Sequence, residues 1–303
     1  MVANLKYNTH TMPKSKAHSE GMKTIQADIR NVRGSIIKED RIYQRKKDRN
    51  LRIRMVYPDA INIQKPFPLL IHVQGSAWFE QDLNGKILDF KSLILAGYAL
   101  AIVEYVPLPD AVFPSQVEDI KMAIRYLDSH AKEMDLDPDK FIISGDSSGG
   151  HTALMAWATW NSQQLDAANT DLPDLKACID LYGVYDFVTI TKQTSATDHT
   201  QPTSPDGLLI GGKAPDEYPE DAKRASVPYY LKDSNILAPL LIIHGNKDTL
   251  VPFEQSVELY DFCKQKNIQA DFYCVDGADH GGPTFYTSEV IQIILDFMNK
   301  CLK

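Results

Sequence analysis

The chain has 303 residues, 44% of them hydrophobic and 24% charged, with a formal net charge of −8. That apolar share supplies a large core and excludes wholesale disorder. The acidic balance excludes an electrostatic nucleic-acid binder and is poorly suited to an anionic membrane surface. At roughly 150 residues per domain the length allows two domains.

Residues 1–21 are polar and aperiodic, which predicts an N-terminal arm. They contain no apolar run that could serve as a secretory h-region, and no later stretch reaches the roughly 18 apolar residues needed to span a bilayer. Cys178, Cys263, Cys274 and Cys301 are scattered and form no CxxC pair, which fits a reducing compartment. A cytoplasmic protein is therefore expected, and the polar arm leaves a homodimer open.

Two runs, 36–46 and 51–58, alternate Ile, Val and Tyr with charged residues on either side of Asp48-Arg49-Asn50, the pattern of a hairpin with one wet face. Five short apolar runs follow at 68–74, 99–106, 141–145, 175–183 and 239–245, as expected of parallel strands covered on both faces. Helical spacing appears between and after them. Val117, Ile120, Ile124, Leu127 and Ala131 recur behind Pro114, which suits a first-turn position, and 148–160 is small and apolar. Val290, Ile291, Ile294, Leu295, Met298 and Leu302 form a stripe behind Ser288 as the expected cap.

Alternating strands and helices predict an α/β fold: a mostly parallel central sheet with an antiparallel hairpin at its N-terminal edge. The stretch 187–238, rich in Pro, Asp, Thr and Ser, exceeds an ordinary connection several-fold and is expected to form a small insertion or cap. The expected organisation is an arm over 1–21 and one domain over 22–303 that carries this insertion.

The strongest chemical signal is Gly145-Asp146-Ser147-Ser148-Gly149, placed directly after one predicted strand and before a helix. In that context G-x-S-x-G is a nucleophile elbow that presents Ser147 on a strained turn. A Cβ two residues to either side would clash with the neighbouring strand and helix. A serine needs a base, and the base an orienting acid, in the chain order Ser, Asp or Glu, His. Asp248 lies just beyond the 239–245 strand and His280 lies in a Gly-rich loop after the last one, both at the carboxyl edge that also carries Ser147. Asp279, next to His280, is disfavoured because a sequence neighbour has difficulty reaching Nδ1. Asp186 is the reserve acid. His244 is expected to brace the Asp248 loop, and His151 to pack or hydrogen bond. No metal-ligand spacing such as HExxH appears, and neither metal nor cofactor is expected.

An oxyanion needs donors. The Ser148 N–H is one, and the loop Gln74-Gly75-Ser76-Ala77-Trp78 is the expected source of a second. Trp78, Phe79, Tyr182, Tyr230 and Phe285 are candidates for a substrate pocket, although each alone is more often core.

With these residues in view, the chain resembles α/β-hydrolases of the alpha/beta hydrolase 3 and carboxylesterase type, and most of all the acetyl xylan/feruloyl esterase-like group labelled BD-FAE. The resemblance runs from FPLLIHVQGSAW through GDSSGGHTA, DLYGVYD and LIIHGNKDTLVPFEQS to GADHGGPTF, about residues 65–303. It implies a Ser147–Asp248–His280 triad that cleaves carboxylic esters without a cofactor. By alignment with the family's His-Gly-Gly-Gly-Trp motif, Ser76 and Ala77 would be the loop donors. Because they stand where the family has glycine, their backbone is expected to avoid strongly positive φ.

The expected activity is hydrolysis of small acyl or aryl esters, acetyl or feruloyl, on a small-molecule ester substrate. An amide-cleaving serine hydrolase (exopeptidase or formamidase) and a non-catalytic binding protein remain as alternatives. An intact Ser147, Asp248 and His280 set weighs against the last.

Overall fold

A computed structural model describes residues 6–8, 11–26, 33–46, 48–59, 63–160, 162–168, 170–231 and 237–303. Contacts divide the chain into two units, 1–32 and 33–303. The described residues of the first unit carry no helix or strand. Residues 1–5, 9 and 10 of the expected arm, and 232–236 of the expected insertion, lie outside the described residues.

The second unit is built on one open sheet, nine-stranded among the described residues, with both faces covered. Its strands are β1 (Gly34–Ile37), β2 (Arg41–Lys46), β3 (Arg49–Asp59), β4 (Phe67–Val73), β5 (Ala99–Val103), β6 (Leu136–Asp146), β7 (Leu175–Leu181), β8 (Leu240–Gly245) and β9 (Ala270–Val275). They lie in the order β1-β3-β5-β4-β6-β7-β8-β9, with β2 paired to β3. Pairing is antiparallel at β1, β2, β3 and β5, and parallel from β5 through β4 to β9. The expected hairpin is β2–β3, with Lys46 paired to Arg49. Arg49 and Asn50 therefore belong to the strand rather than the turn.

Alternation along the strands sorts the core into two layers. Leu69, Ile71 and Val73 of β4 face one side with Phe141, Ile143, Leu240 and Ile242. The helices α2 (Ser115–Ser129), α3 (Ser148–Ala158) and α6 (Glu254–Gln265) cover them there. Leu70, Leu100, Ile142, Ile179 and Ile243 face the other side, beneath α1 (Lys91–Leu95) and α7 (Ser288–Cys301). The α2 stripe read from the sequence is the buried one, with Pro114 one residue outside the helix. At α7 the cap is Thr287, whose hydroxyl accepts the Val290 N–H, and Ser288 is the first helical residue. Both residue types can cap, so composition alone did not separate the two positions.

The insertion contributes α4 (Pro205–Leu209) and α5 (Pro219–Arg224). Phe187, Ile190, Leu209, Ile210, Ala222 and Ala225 pack there against Trp78, Leu108, Val184 and Val251, in a small apolar cluster over the carboxyl edge of the sheet.

Candidate active site

Ser147 sits between β6 and α3 at φ 52°, ψ −125°, a backbone conformation that non-glycine residues rarely adopt. Two hydrogen bonds pin the turn: Ser147 N–H donates to the Leu181 carbonyl at 2.9 Å, and His151 N–H donates to the Ser147 carbonyl at 3.1 Å. The flanking glycines are required by close approach. A Cβ on Gly145 would lie 2.1 Å from the Gly149 carbonyl oxygen of α3, and one on Gly149 would lie 2.1 Å from the Val73 carbonyl oxygen of β4.

Three loops at this sheet edge bring the predicted residues together. Ser147 Oγ lies 2.8 Å from His280 Nε2, and His280 Nδ1 lies 2.7 Å from Asp248 Oδ2. The carboxylate only accepts, so Nδ1 carries the proton and Nε2 presents its lone pair to the serine hydroxyl. The Asp248 side chain is fully buried and takes three further hydrogen bonds, from Leu250 N–H, Val251 N–H and His244 Nε2. Burial pushes its pKa up, but the two histidines outweigh burial and hold it well below the usual carboxylate range. His244 thus braces the loop by touching the acid itself.

The other acids are elsewhere. Asp279 Oδ1 accepts from Thr249 N–H, Thr249 Oγ1 and the His280 backbone N–H, which staples the loop. Asp186 caps its own turn through Val188 N–H and accepts from Ser226 Oγ. His151, held neutral to about 4 by burial, donates from Nε2 to the Ala225 carbonyl at 2.8 Å.

The loop donors differ from expectation. Ser76 N–H donates to Ser148 Oγ at 2.9 Å and is already engaged. Ala77 N–H has no acceptor among the described residues, and Ser148 N–H opens α3, where no intrahelical acceptor exists. Ala77 adopts φ 53° and Trp78 φ 61°, contrary to the expectation for Ala77. The strain, about 1–2 kcal/mol for each residue, is offset by Phe79 N–H donating to Ser76 O and Leu108 N–H donating to Trp78 O.

Asp146 ties this loop to the elbow, a role its place inside the motif did not reveal. Its Oδ1 accepts from Gly75 N–H at 2.8 Å and faces His72 Nε2 at 3.1 Å, while Oδ2 faces Lys86 Nζ at 3.3 Å. Burial pushes its pKa up, but His72, Lys86 and Gly75 together hold it well below the usual carboxylate range.

A cavity of about 90 Å³ opens beside the serine, lined by Ala77, Trp78, Ser148, Val184, His199, Asp206, Leu250 and Val251 together with Ser147 and His280. Of the five expected pocket aromatics, Trp78 lines it and four do not. Phe79 is exposed. Tyr182 lies behind the site, edge-on to His280 at 5.0 Å, and packs on the fully buried Phe285 at 4.4 Å. Tyr230 packs on Tyr229 and donates to the Arg224 carbonyl. Trp78 differs because the positive φ of its loop turns the ring under the insertion. His199 and Asp206 carried no recognisable motif.

The BD-FAE family model matches residues 56–262. The chain is 27% identical over 214 residues to the probable carboxylic ester hydrolase LipM of Mycobacterium tuberculosis, a match covering 68% of this chain and 47% of that protein. It is 26% identical to esterase LipC of the same organism, over 72% of this chain and 53% of that one. The chain thus spans about half the length of the curated relatives it matches. Among solved structures, a truncated carbohydrate esterase from gut microbiota superposes with a TM-score of 0.74 at 26% identity, covering 88% of this chain and 96% of that one. Esterase B from Lactobacillus Rhamnosis superposes with a TM-score of 0.73 at 19% identity, over 88% and 85%, a likeness of fold.

Proposed function

Since the chain belongs to the BD-FAE family of α/β-hydrolases, we propose that it is a serine carboxylic ester hydrolase acting on short-chain acyl esters through an acyl-enzyme intermediate. One observation carries the reading: Ser147 Oγ, His280 and Asp248 stand in line at 2.8 and 2.7 Å on a strained elbow.

Ser147 Oγ attacks the ester carbonyl while its proton passes to His280 Nε2, and Asp248 stabilises the imidazolium that forms. The Ser148 and Ala77 N–H groups receive the oxyanion. His280 returns the proton to the leaving alcohol, then activates water to release the acid. The cavity decides between acyl groups. At about 90 Å³ it is smaller than the ~150 Å³ void known to admit benzene, which favours acetyl over feruloyl. The related carbohydrate esterase suggests acetylated sugars as one source of such esters.

Folded Ser147→Ala should lose p-nitrophenyl acetate turnover by about 10⁴-fold or more, and the wild type should prefer p-nitrophenyl acetate to methyl ferulate. Undiminished turnover in the variant overturns the mechanism, and a preference for the ferulate overturns the short-acyl reading.

A further inference from the structure

The cavity that Ser147 and His280 line is also walled by His199 and Asp206, both from the insertion. Asp206 Oδ2 lies 2.7 Å from His199 Nδ1, and His199 Nε2 lies 2.9 Å from the Leu250 carbonyl oxygen. A carboxylate and a carbonyl both only accept, so both ring nitrogens donate and His199 is an imidazolium. Burial alone would lower its pKa, but Asp206 and Leu250 raise it. The ion pair is neutral overall and leaves the second Asp206 oxygen unused. That oxygen, Oδ1, is buried without a hydrogen-bond partner among the described residues, on a side chain 97% buried. Trp78 Nε1, also on a lining residue, is a buried donor without a partner among the described residues.

We propose that Asp206, oriented by His199, is a specificity-determining residue that accepts a hydrogen bond from a hydroxyl group of the ester substrate, while Trp78 Nε1–H donates to the same hydroxyl. This rests on the reading of the site as an esterase. An apolar group in the cavity would leave both atoms dry, and a buried polar atom without a partner is costly. A hydroxyl offers one donor and one acceptor, the complement of the pair. An ammonium is a poorer match, because the Asp206 charge is already balanced by His199 and Trp78 presents a donor. A hydroxyl on the alcohol portion and one on the acyl portion share this chemistry.

The test uses two ester pairs that each differ by one hydroxyl: 2-hydroxyethyl acetate against ethyl acetate, and ethyl glycolate against ethyl acetate. The ratio of kcat/KM within a pair is measured for the wild type, Asp206→Ala and Trp78→Phe, so that the intrinsic reactivity of each ester cancels between proteins. In at least one pair the wild-type ratio should exceed that of Asp206→Ala by about ten- to a hundredfold, and that of Trp78→Phe by about threefold or more. A change in the first pair places the hydroxyl on the alcohol, and a change in the second places it on the acid. Should Asp206→Ala fail to fold, Trp78→Phe decides alone. Ratios equal to the wild type in both pairs overturn the inference while leaving the esterase reading intact. That reading fails separately, if Ser147→Ala still turns over ethyl acetate.

Discussion

Four donors converge on Asp248: Leu250 and Val251 N–H on one oxygen, His244 and His280 on the other. An amide offers a single acceptor oxygen, so Asp248→Asn must turn its NH₂ toward two other donors. If it faces the histidines, His280 Nδ1 can no longer donate, Nε2 takes the proton, and Ser147 loses its base. Asp248→Asn should therefore lower kcat by about 10⁴-fold. Asp279→Asn, which disturbs only a loop staple, should stay within about tenfold, and steady-state rates on p-nitrophenyl acetate separate the two. Equal losses would mean that Asp279 shares the acid's role. Ser147, Asp248 and His280 were legible because chain order and sheet edge constrain them together. The engagement of Ser76 N–H was not, since it depends on where the Ser148 hydroxyl turns. Nor was the pairing of His199 with Asp206, two residues seven apart in a stretch without periodicity.

The close contact of β4, β6 and α3 makes the elbow an element-scale device. A Cβ at Gly149 meets the backbone of β4, which has partners on both sides and cannot withdraw. Gly149→Ala should cost about 3 kcal/mol or more. Gly212→Ala, at φ 74° with open space around it, should cost only the left-handed backbone strain of about 1–2 kcal/mol. Urea unfolding of both variants checks this, and similar midpoints would show that the elbow backbone yields. The buried parallel strands were readable as apolar runs, since burial on both faces removes polar positions. The N-terminal half of β6 was not, because Asp137, Asp139 and Lys140 are polar, Pro138 has no N–H to give a ladder, and the strand there pairs across a register shift. The insertion helices α4 and α5 were equally hidden. At five and six residues they are too short for a periodic pattern, and they are held by packing on Trp78, Val184 and Val251 rather than by propensity.

Across the second unit, Ser147, Asp248 and His280 reach one edge from the ends of β6, β8 and β9, so the two-domain allowance of the chain length is not used within 33–303. The same architecture buries charge at its centre. Asp180 on β7 is fully buried, and neither carboxyl oxygen makes a full hydrogen bond among the described residues. Burial, reinforced by the negative charge of Asp146 and only partly offset by the Gly183 amide, pushes its pKa up to about 7. In the unfolded chain it titrates near ~3.9. Between these values the folded protein holds a proton that the unfolded chain has released, so this group's contribution to stability falls as pH rises from about 4 to 7 and is level above. His151, lowered to about 4, acts with the opposite sign up to about 6.5. Asp146 and Asp248, whose pKa values are depressed, lose their contributions only below the unfolded carboxylate range. The wild-type curve alone therefore mixes signs, and the difference between Asp180→Asn and wild type isolates one group. That difference in Tm should move in favour of Asp180→Asn by several degrees between pH 4 and 7.5, each kcal/mol being worth about 2–4 °C in a chain of this size. A difference that stays constant across the window would mean that Asp180 ionises like a surface carboxylate and that the sheet interior beside the elbow carries its charge.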